Sequence, residues 1–191
     1  MDTAEKKLDL RIRRTYRVLT NALQELLREK SFDEISVSEL CERAMIRRAT
    51  FYKHFADKYE LFTFCIRELQ NSFSAGQQLA CDARGPKAFY AAMIDSSLQF
   101  VEQNADVFAS VMKSRSRQML LDILSAEIER DTLAHLRADE AAGAQLPARP
   151  ELLAAAMTGA LVYTMRWWVQ HDLKMPRAEV VRVYTSLVRV Q

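Results

Sequence analysis

Between Arg43 and Lys58 the chain sets five basic residues, Arg43, Arg47, Arg48, Lys53 and Lys58, against one acid, Asp57. The local charge is +4 in a chain whose net charge is +2. Thr50, Tyr52 and His54 interleave hydroxyl and imidazole groups with these cations. That mixture suits the phosphate oxygens of a nucleic-acid backbone: cations supply the attraction and neutral donors fix the position. On a helix, Ala44, Ile46, Phe51 and Phe55 turn inward while Arg47, Arg48, Tyr52 and Lys53 point outward. A basic run is also compatible with the solvated face of an ordinary helical bundle. The residues that frame it weigh against that.

Two helix-start signatures flank the basic run. Ser36 and Glu39 have the S-x-x-E spacing in which each side chain covers the other's orphan backbone N–H, with Ile35 and Leu40 placed for a hydrophobic staple. Asp57 and Glu60, flanked by Phe55 and Leu61, repeat the device. Between them lies room for one short helix, Arg47 to His54, entered through the turn Ala44-Met45-Ile46. Two short helices joined by a tight turn outline a helix-turn-helix over residues 36–55.

The run ERAMIRRATFYKHFADKYELF resembles the helix-turn-helix and following helix of the tetracycline-repressor (TetR) family of transcription regulators. Thr50 to Phe55 match the family's pattern of threonine, apolar, tyrosine, any residue, histidine and aromatic, and Lys58 matches its following lysine. The resemblance covers residues 10 to 65. Met45 stands where many members place a turn glycine, and Arg47 where many place a capping serine or threonine. A left-handed Met45 carries a strain of about 1–2 kcal/mol. The resemblance implies DNA contacts from Ser36, Arg47, Arg48, Thr50, Tyr52, Lys53, His54 and Lys58. Within that set Thr50, Tyr52, His54 and Lys58 hold phosphates, Arg48 and Arg47 reach base edges, and Lys53 does either.

Composition bounds the rest. The chain has 191 residues, is 49% hydrophobic and 27% charged, and so is globular in character. Four glycines and four prolines are too few for a many-stranded fold. No apolar run approaches the length of a membrane span, and the charged start, MDTAEKKLDLRIRRTYR, has no secretory core. Cys41, Cys65 and Cys81 are odd in number and never spaced C-x-x-C, which suits buried thiols in a reducing compartment and a cytoplasmic location. Residues 61–191 hold 14 basic and 14 acidic side chains, so the nucleic-acid signal is local to the first part of the chain.

Helical spacing of apolar residues, with few breaks, predicts an all-α chain of about nine helices. The first follows Asp9 and runs to Lys30, striped by Ile12, Tyr16, Leu19, Leu23 and Leu26; Arg11, Arg13, Arg14 and Arg17 near its start either touch DNA backbone or solvate the end. With the two motif helices it makes a three-helix DNA-binding bundle over residues 9–57. A helix from Lys58 to Leu79 connects it, as residues 58–82, to a C-terminal domain over 83–191. There Pro86 opens a helix to Gln103, Asn104-Ala105-Asp106 precedes a short one, and Arg115 to Ala138 forms another. Asp139 to Pro150 reads as a disordered loop. Glu151 to Gln170 and the segment after Pro176, striped by Val180, Val183, Leu187 and Val190, complete the set.

Catalytic signatures are absent, and no enzyme activity, cofactor or metal is expected: the sequence holds no G-x-G-x-x-G, Walker A, G-x-S-x-G or H-E-x-x-H. Glu127, Asp131 and His135 share one helical face, where a solvated face is the simpler reading than a metal site. The second half is rich in aromatic and methionine side chains, each of which is either plain core or ligand contact. Tyr90, Met93, Phe108, Met112, Met119, Met157, Tyr163 and Trp167 are the candidates to line a pocket. Such a pocket is expected to prefer apolar or aromatic molecules over polyanions, with Arg115 and Arg166 leaving room for one acidic group. The resemblance implies a C-terminal domain that binds a small effector and dimerises through its last two long helices, here 151–171 and 177–190. The expected partners are therefore a second copy, a pseudo-palindromic double-stranded operator and an effector. The expected activity is repression; the alternative is an activator or architectural factor controlled by a protein partner.

Overall fold

The computed structural model describes residues 3–81 and 86–187, with side chains over residues 10–72, 90–184 and 186. Among the described residues it contains nine α-helices, one 3-10 turn and no strand. They are α1 Thr3–Glu29, α2 Val37–Arg43, α3 Arg48–His54, α4 Lys58–Cys81, α5 Pro86–Gln103, α6 Ala105–Lys113, α7 Arg117–Ala141, α8 Pro150–Gln170 and α9 Arg177–Leu187. The 3-10 turn, Phe32–Glu34, sits where the sequence showed only a break. It is held by a second S-x-x-E box, in which Ser31 N–H and Oγ–H both donate to Glu34 at 3.0 and 2.8 Å.

The first core forms where the inward faces of α1 to α4 meet. Leu19, Leu23, Leu26 and Leu27 of α1, Phe32 of the turn, Leu40, Phe51, Phe55 and Leu61 are all buried in it. Phe32 sits at its centre, with the rings of Tyr59 and Phe62 at 5.1 and 5.6 Å. The same core takes in Val111 of α6 and Leu120 of α7, so the N-terminal helices do not close on themselves. A second core joins Ile94, Leu98 and Val101 of α5, Ile128 of α7, Leu161, Met165 and Trp168 of α8, and Val180 and Tyr184 of α9. Trp168 is fully buried and donates its indole N–H to Met175 O at 2.8 Å, closing the α8–α9 turn. The valine-rich end is thus helix, fixed by Val180 and Tyr184; Val190 and the side chains of Leu187 and Cys81 lie outside the described residues.

Helix ends follow local chemistry. Ser36 caps α2 with the expected box: Glu39 N–H donates to Ser36 Oγ at 3.2 Å and Ser36 N–H to Glu39 Oε2 at 2.9 Å. At α4 the device is altered. Asp57 Oδ1 accepts from Tyr59 N–H and Glu60 N–H, while Glu60 reaches back to Ala56 N–H. The segment expected to be disordered is shorter than its composition suggested, because α7 continues to Ala141. Gly143, with φ 94°, supplies the left-handed residue that ends that helix.

Three polar ties hold the two halves together. Glu127 of α7, only 6% exposed, receives a two-pronged bond from Arg67 of α4 at 2.8 and 2.8 Å and an ion pair from Arg130 at 3.0 Å. That overturns the solvated face expected of Glu127, Asp131 and His135, of which the last two are half-buried. Arg28 of α1 reaches Asn104 and Asp106 at the start of α6. Finally, the Asp33 carboxylate collects Ser114 Oγ–H at 2.7 Å, the backbone N–H of Arg115 and Ser116, and Ser116 Oγ–H, just ahead of α7. An anion there is favoured by the unpaired N–H groups and the helix dipole.

The hydroxyls of Ser116 and Ser114, followed by those backbone groups, hold the Asp33 carboxyl at about 2, below its ordinary 3.8. Because the folded-state value is depressed, the contribution of this tie is complete above about pH 4 and disappears as pH falls towards 2. Asp33→Asn should therefore unfold more readily in urea than the wild type at pH 7, with the difference shrinking between pH 4 and pH 2. An equal difference at both ends of that window would show that the carboxylate charge is irrelevant.

Candidate nucleic-acid interface

The motif is built on Phe51 and Phe55, which are buried and fix the rotation of α3 about its axis. That rotation leaves Arg47, Arg48, Ala49, Tyr52 and Lys53 exposed, with Thr50 and His54 half-buried at the edges. Tyr16 of α1 meets the His54 ring edge-on at 5.3 Å and packs on Phe55 and Phe64 at 5.5 and 4.6 Å. The Arg48 guanidinium lies 6.0 Å from the Tyr52 ring centre, pairing the outward cation with the outward aromatic. Arg11, Arg13, Arg14 and Arg17 are exposed on the part of α1 that carries Tyr16.

The α2–α3 turn is tight. Met45 takes φ 52°, with its N–H donating to Glu42 O and the Ile46 N–H to Cys41 O. The side chain is 91% exposed, so no packing offsets the left-handed backbone that a glycine adopts freely. Arg47 is the N-cap of α3 and makes no side-chain cap bond.

Not every cation of the run belongs to this face. Arg43 turns back to α1, with two bonds to Glu29 at 2.7 and 2.8 Å and one to Glu25 at 3.4 Å. Its charge is compensated there, and the Glu29 carboxyl is held below its ordinary value by the same contact. Lys58 corrects the sequence expectation more sharply. Its ammonium donates to the carbonyls of Phe32, Asp33 and Ile35 at 2.8, 3.2 and 2.7 Å, and lies 4.7 Å from the Phe32 ring centre. Burial lowers its pKa. Lys58 closes the end of the 3-10 turn instead of facing outward for a phosphate. Ser36 is exposed, but its hydroxyl is engaged with Glu39 in the cap. Of the five cations, Arg47, Arg48 and Lys53 form the exposed basic face of α3.

Residues 19–63 match the family described as bacterial regulatory proteins, tetR family. The chain is similar to TetR-family regulators over that stretch. It is similar to an uncharacterised HTH-type transcriptional regulator, YxbF of Bacillus subtilis (strain 168), at 41% identity over 64 residues, 33% of this chain and 17% of that protein. It is also similar to DhaS of Lactococcus lactis subsp. lactis (strain IL1403), an HTH-type dhaKLM operon transcriptional activator, at 34% over 60 residues, 31% of this chain and 30% of DhaS. The matched part thus spans less than a third of these relatives. The TetR fold extends further: FadR of Bacillus subtilis, solved in complex with stearoyl-CoA, superposes over 91% of this chain and 97% of its own with TM-score 0.61 and 16% identity.

Among the described residues, two apolar cavities lie between α4 to α8, the first also walled by Tyr184 of α9 and the second by Leu23 and Leu27 of α1. They share walls from Ile66, Leu69, Phe100, Phe108, Leu124 and Met165. Space for the centres of water-sized molecules is about 60 Å³ in one and about 80 Å³ in the other. Tyr90, Met93, Phe108 and Met157 line the first, and Phe108 and Met112 the second, as does Arg166. The other three candidates lie elsewhere. Met119 and Tyr163 are 51% and 62% exposed, and Trp167 stacks on His171 at 4.3 Å on the outer side of α8. Their helices do border the cavities, but α7 and α8 turn other residues inward: Leu124 and Ile128, Leu161 and Met165. Arg115 lines neither cavity. Cys65 lines the second; burial pushes its thiol up to about 11, and Cys41 is raised by the same cause. Neither is an activated thiolate.

Lys58→Met should cost about 2 kcal/mol of stability, because it removes a charge-assisted donor from three carbonyls. The salt dependence of DNA binding should stay unchanged. Urea unfolding and binding titrations at several salt concentrations would check both; a shallower salt slope with unchanged stability would return Lys58 to the phosphate-binding set.

Proposed function

We propose that this chain is a homodimeric repressor that leaves a pseudo-palindromic operator when a small apolar or aromatic molecule enters the cavities between α4 and α8. The observation that carries the reading is the position of α6. Its Phe108, Val111 and Met112 line the cavities, while its Ser110 donates to Lys30 O at 2.8 Å, directly behind the DNA-binding helices. A molecule that displaces α6 displaces α1, and an effector that lowers operator affinity tenfold need prefer the released state by only about 1.4 kcal/mol. The cavities weigh against control by a protein partner alone. The name of DhaS as an activator keeps positive regulation as the second reading, with the same DNA face and cavities.

In this reading the DNA-binding unit is residues 9–57, joined through 58–82 to a regulatory and dimerising unit. Arg48 and Arg47 read base edges, Thr50, Tyr52 and His54 hold phosphates, and Lys53 holds a phosphate beside them. Two copies of α3 enter successive major grooves about 34–36 Å apart. Arg48→Ala should cost about 1–3 kcal/mol on an operator selected from random duplex DNA and relax preference at one base pair. Lys53→Ala should weaken binding to every sequence and reduce the salt slope by about 0.9 per half-site. Equal losses on selected and random DNA for Arg48→Ala would remove it from the reading role.

The dimer reading rests on one face of α8. Leu152, Ala155, Ala156, Gly159 and Tyr163 are exposed along it, and Val183 of α9 is 49% exposed nearby in the groove with Tyr163. A Cβ added at Gly159 would meet nothing within 4 Å in the single chain. A helical glycine costs about 0.5–1 kcal/mol relative to alanine, so its gain lies in close approach by something outside this chain. Ala155→Glu or Val183→Glu should turn the dimer into folded monomers that bind a full operator poorly. Sedimentation showing the wild type as a monomer at micromolar concentration would sink the proposal.

A further inference from the structure

The wall of the first cavity sets oxygen acceptors around an apolar interior. Gln70 of α4 turns its Oε1 into the interior, where the atom is enclosed and has no hydrogen-bond partner. Ser97 Oγ–H is already donated to Met93 O at 2.8 Å, Tyr184 O–H to Met157 O at 2.7 Å, and Tyr90 O–H to Asp139 at 2.9 Å. The protons of these three hydroxyls are therefore committed within the protein. Among the described lining residues the charged one is Asp131, whose carboxylate lies 3.9 Å from His135 Nδ1. Around these groups stand Phe100 and Phe108, their rings edge-on at 6.1 Å, with Leu69, Ile94 and Ile128. An enclosed acceptor without a donor costs free energy until a donor arrives.

We propose that the ligand of this cavity is a protonated amine on a compact aromatic or alicyclic body, its ammonium turned to Asp131 and the Gln70 carbonyl. An ammonium brings three donors and no acceptor, the complement of this wall. The cost of drying the cation is offset by a carboxylate, by neutral oxygens and by the faces of the aromatic rings. A carboxylate ligand meets the opposite: acceptor against acceptor, and like charge against Asp131. The inference rests on the reading of these cavities as the effector site and narrows it to one ligand class.

Calorimetry on the full chain with four probes of one shape tests it: 2-phenylethylammonium, 2-phenylethanol, 3-phenylpropanoate and propylbenzene. The ammonium should bind at least about tenfold more tightly than the alcohol or the carboxylate, the usual scale for a hydrogen bond to a charged group. Asp131→Asn and Gln70→Leu should each lower ammonium affinity by about tenfold while leaving propylbenzene affinity within about twofold. The comparison among probes on the wild type holds even if a variant fails to fold. If the carboxylate or the alcohol binds as tightly as the ammonium, the inference falls and the effector cavity stands. If none of the four binds, both fall.

Discussion

A single continuous helix, α4, serves both the first core and the walls of the cavities, and the rest of the molecule is arranged around that constraint. Leu61 and Phe62 fill the core beneath the DNA-facing helices, while Ile66, Leu69 and Gln70 face the cavities one and two turns later. Over its 24 residues it is a rod about 36 Å long, with every interior carbonyl bonded along the axis. Such a rod tilts or shifts as a body; it does not bend cheaply in the middle. Arg67 bonded to the buried Glu127 pins the rod to α7, and removing either partner would leave the other charge uncompensated. The cavity walls and the first core are therefore tied to one rod.

The basic face and the cavities differ in how they are supported. The basic face is three cations and an aromatic on a helix of seven residues and its N-cap, anchored by Phe51 and Phe55, with Phe55 in ring contact with Tyr16 and Phe64 and His54 with Tyr16. A helix that short has little stability of its own, so its orientation is set by tertiary packing. The cavities are lined in part by methionine and phenylalanine from α4, α5, α6 and α8. Methionine adapts to the outline of a guest at small cost, which suits a wall that must close again when the guest leaves.

How much of this was legible in the sequence follows from how local each cause is. The caps at Ser36 and Asp57, the helical stripe of α1 and the turn at Met45 are written within a few residues, and the helices stand close to where their spacing placed them. The inward set Phe51 and Phe55 followed from helical period alone. The destination of Lys58 was not legible, because its three carbonyl partners lie more than twenty residues earlier and are brought to it by folding. Arg43 likewise found Glu25 and Glu29 across a helix pair. The pocket residues were half legible: composition told that the second half was rich in adaptable apolar side chains, but only the rotation of α7 and α8 decides that Met165 faces in and Met119 and Tyr163 face out.

The Asp33 tie bears on how such a chain can be recombined. The carboxylate belongs to the first sixty residues, yet the hydroxyls and N–H groups that satisfy it stand at Ser114, Arg115 and Ser116, about eighty residues downstream. A DNA-binding segment transplanted onto another regulatory half would carry Asp33 to a turn that lacks those donors, and would leave the start of α7 without its anion. The two-residue serine frame around Arg115 therefore has to travel with the segment it never adjoins in sequence. Modularity in this molecule is discontinuous: the exchangeable unit is the first helices together with a three-residue island far along the chain.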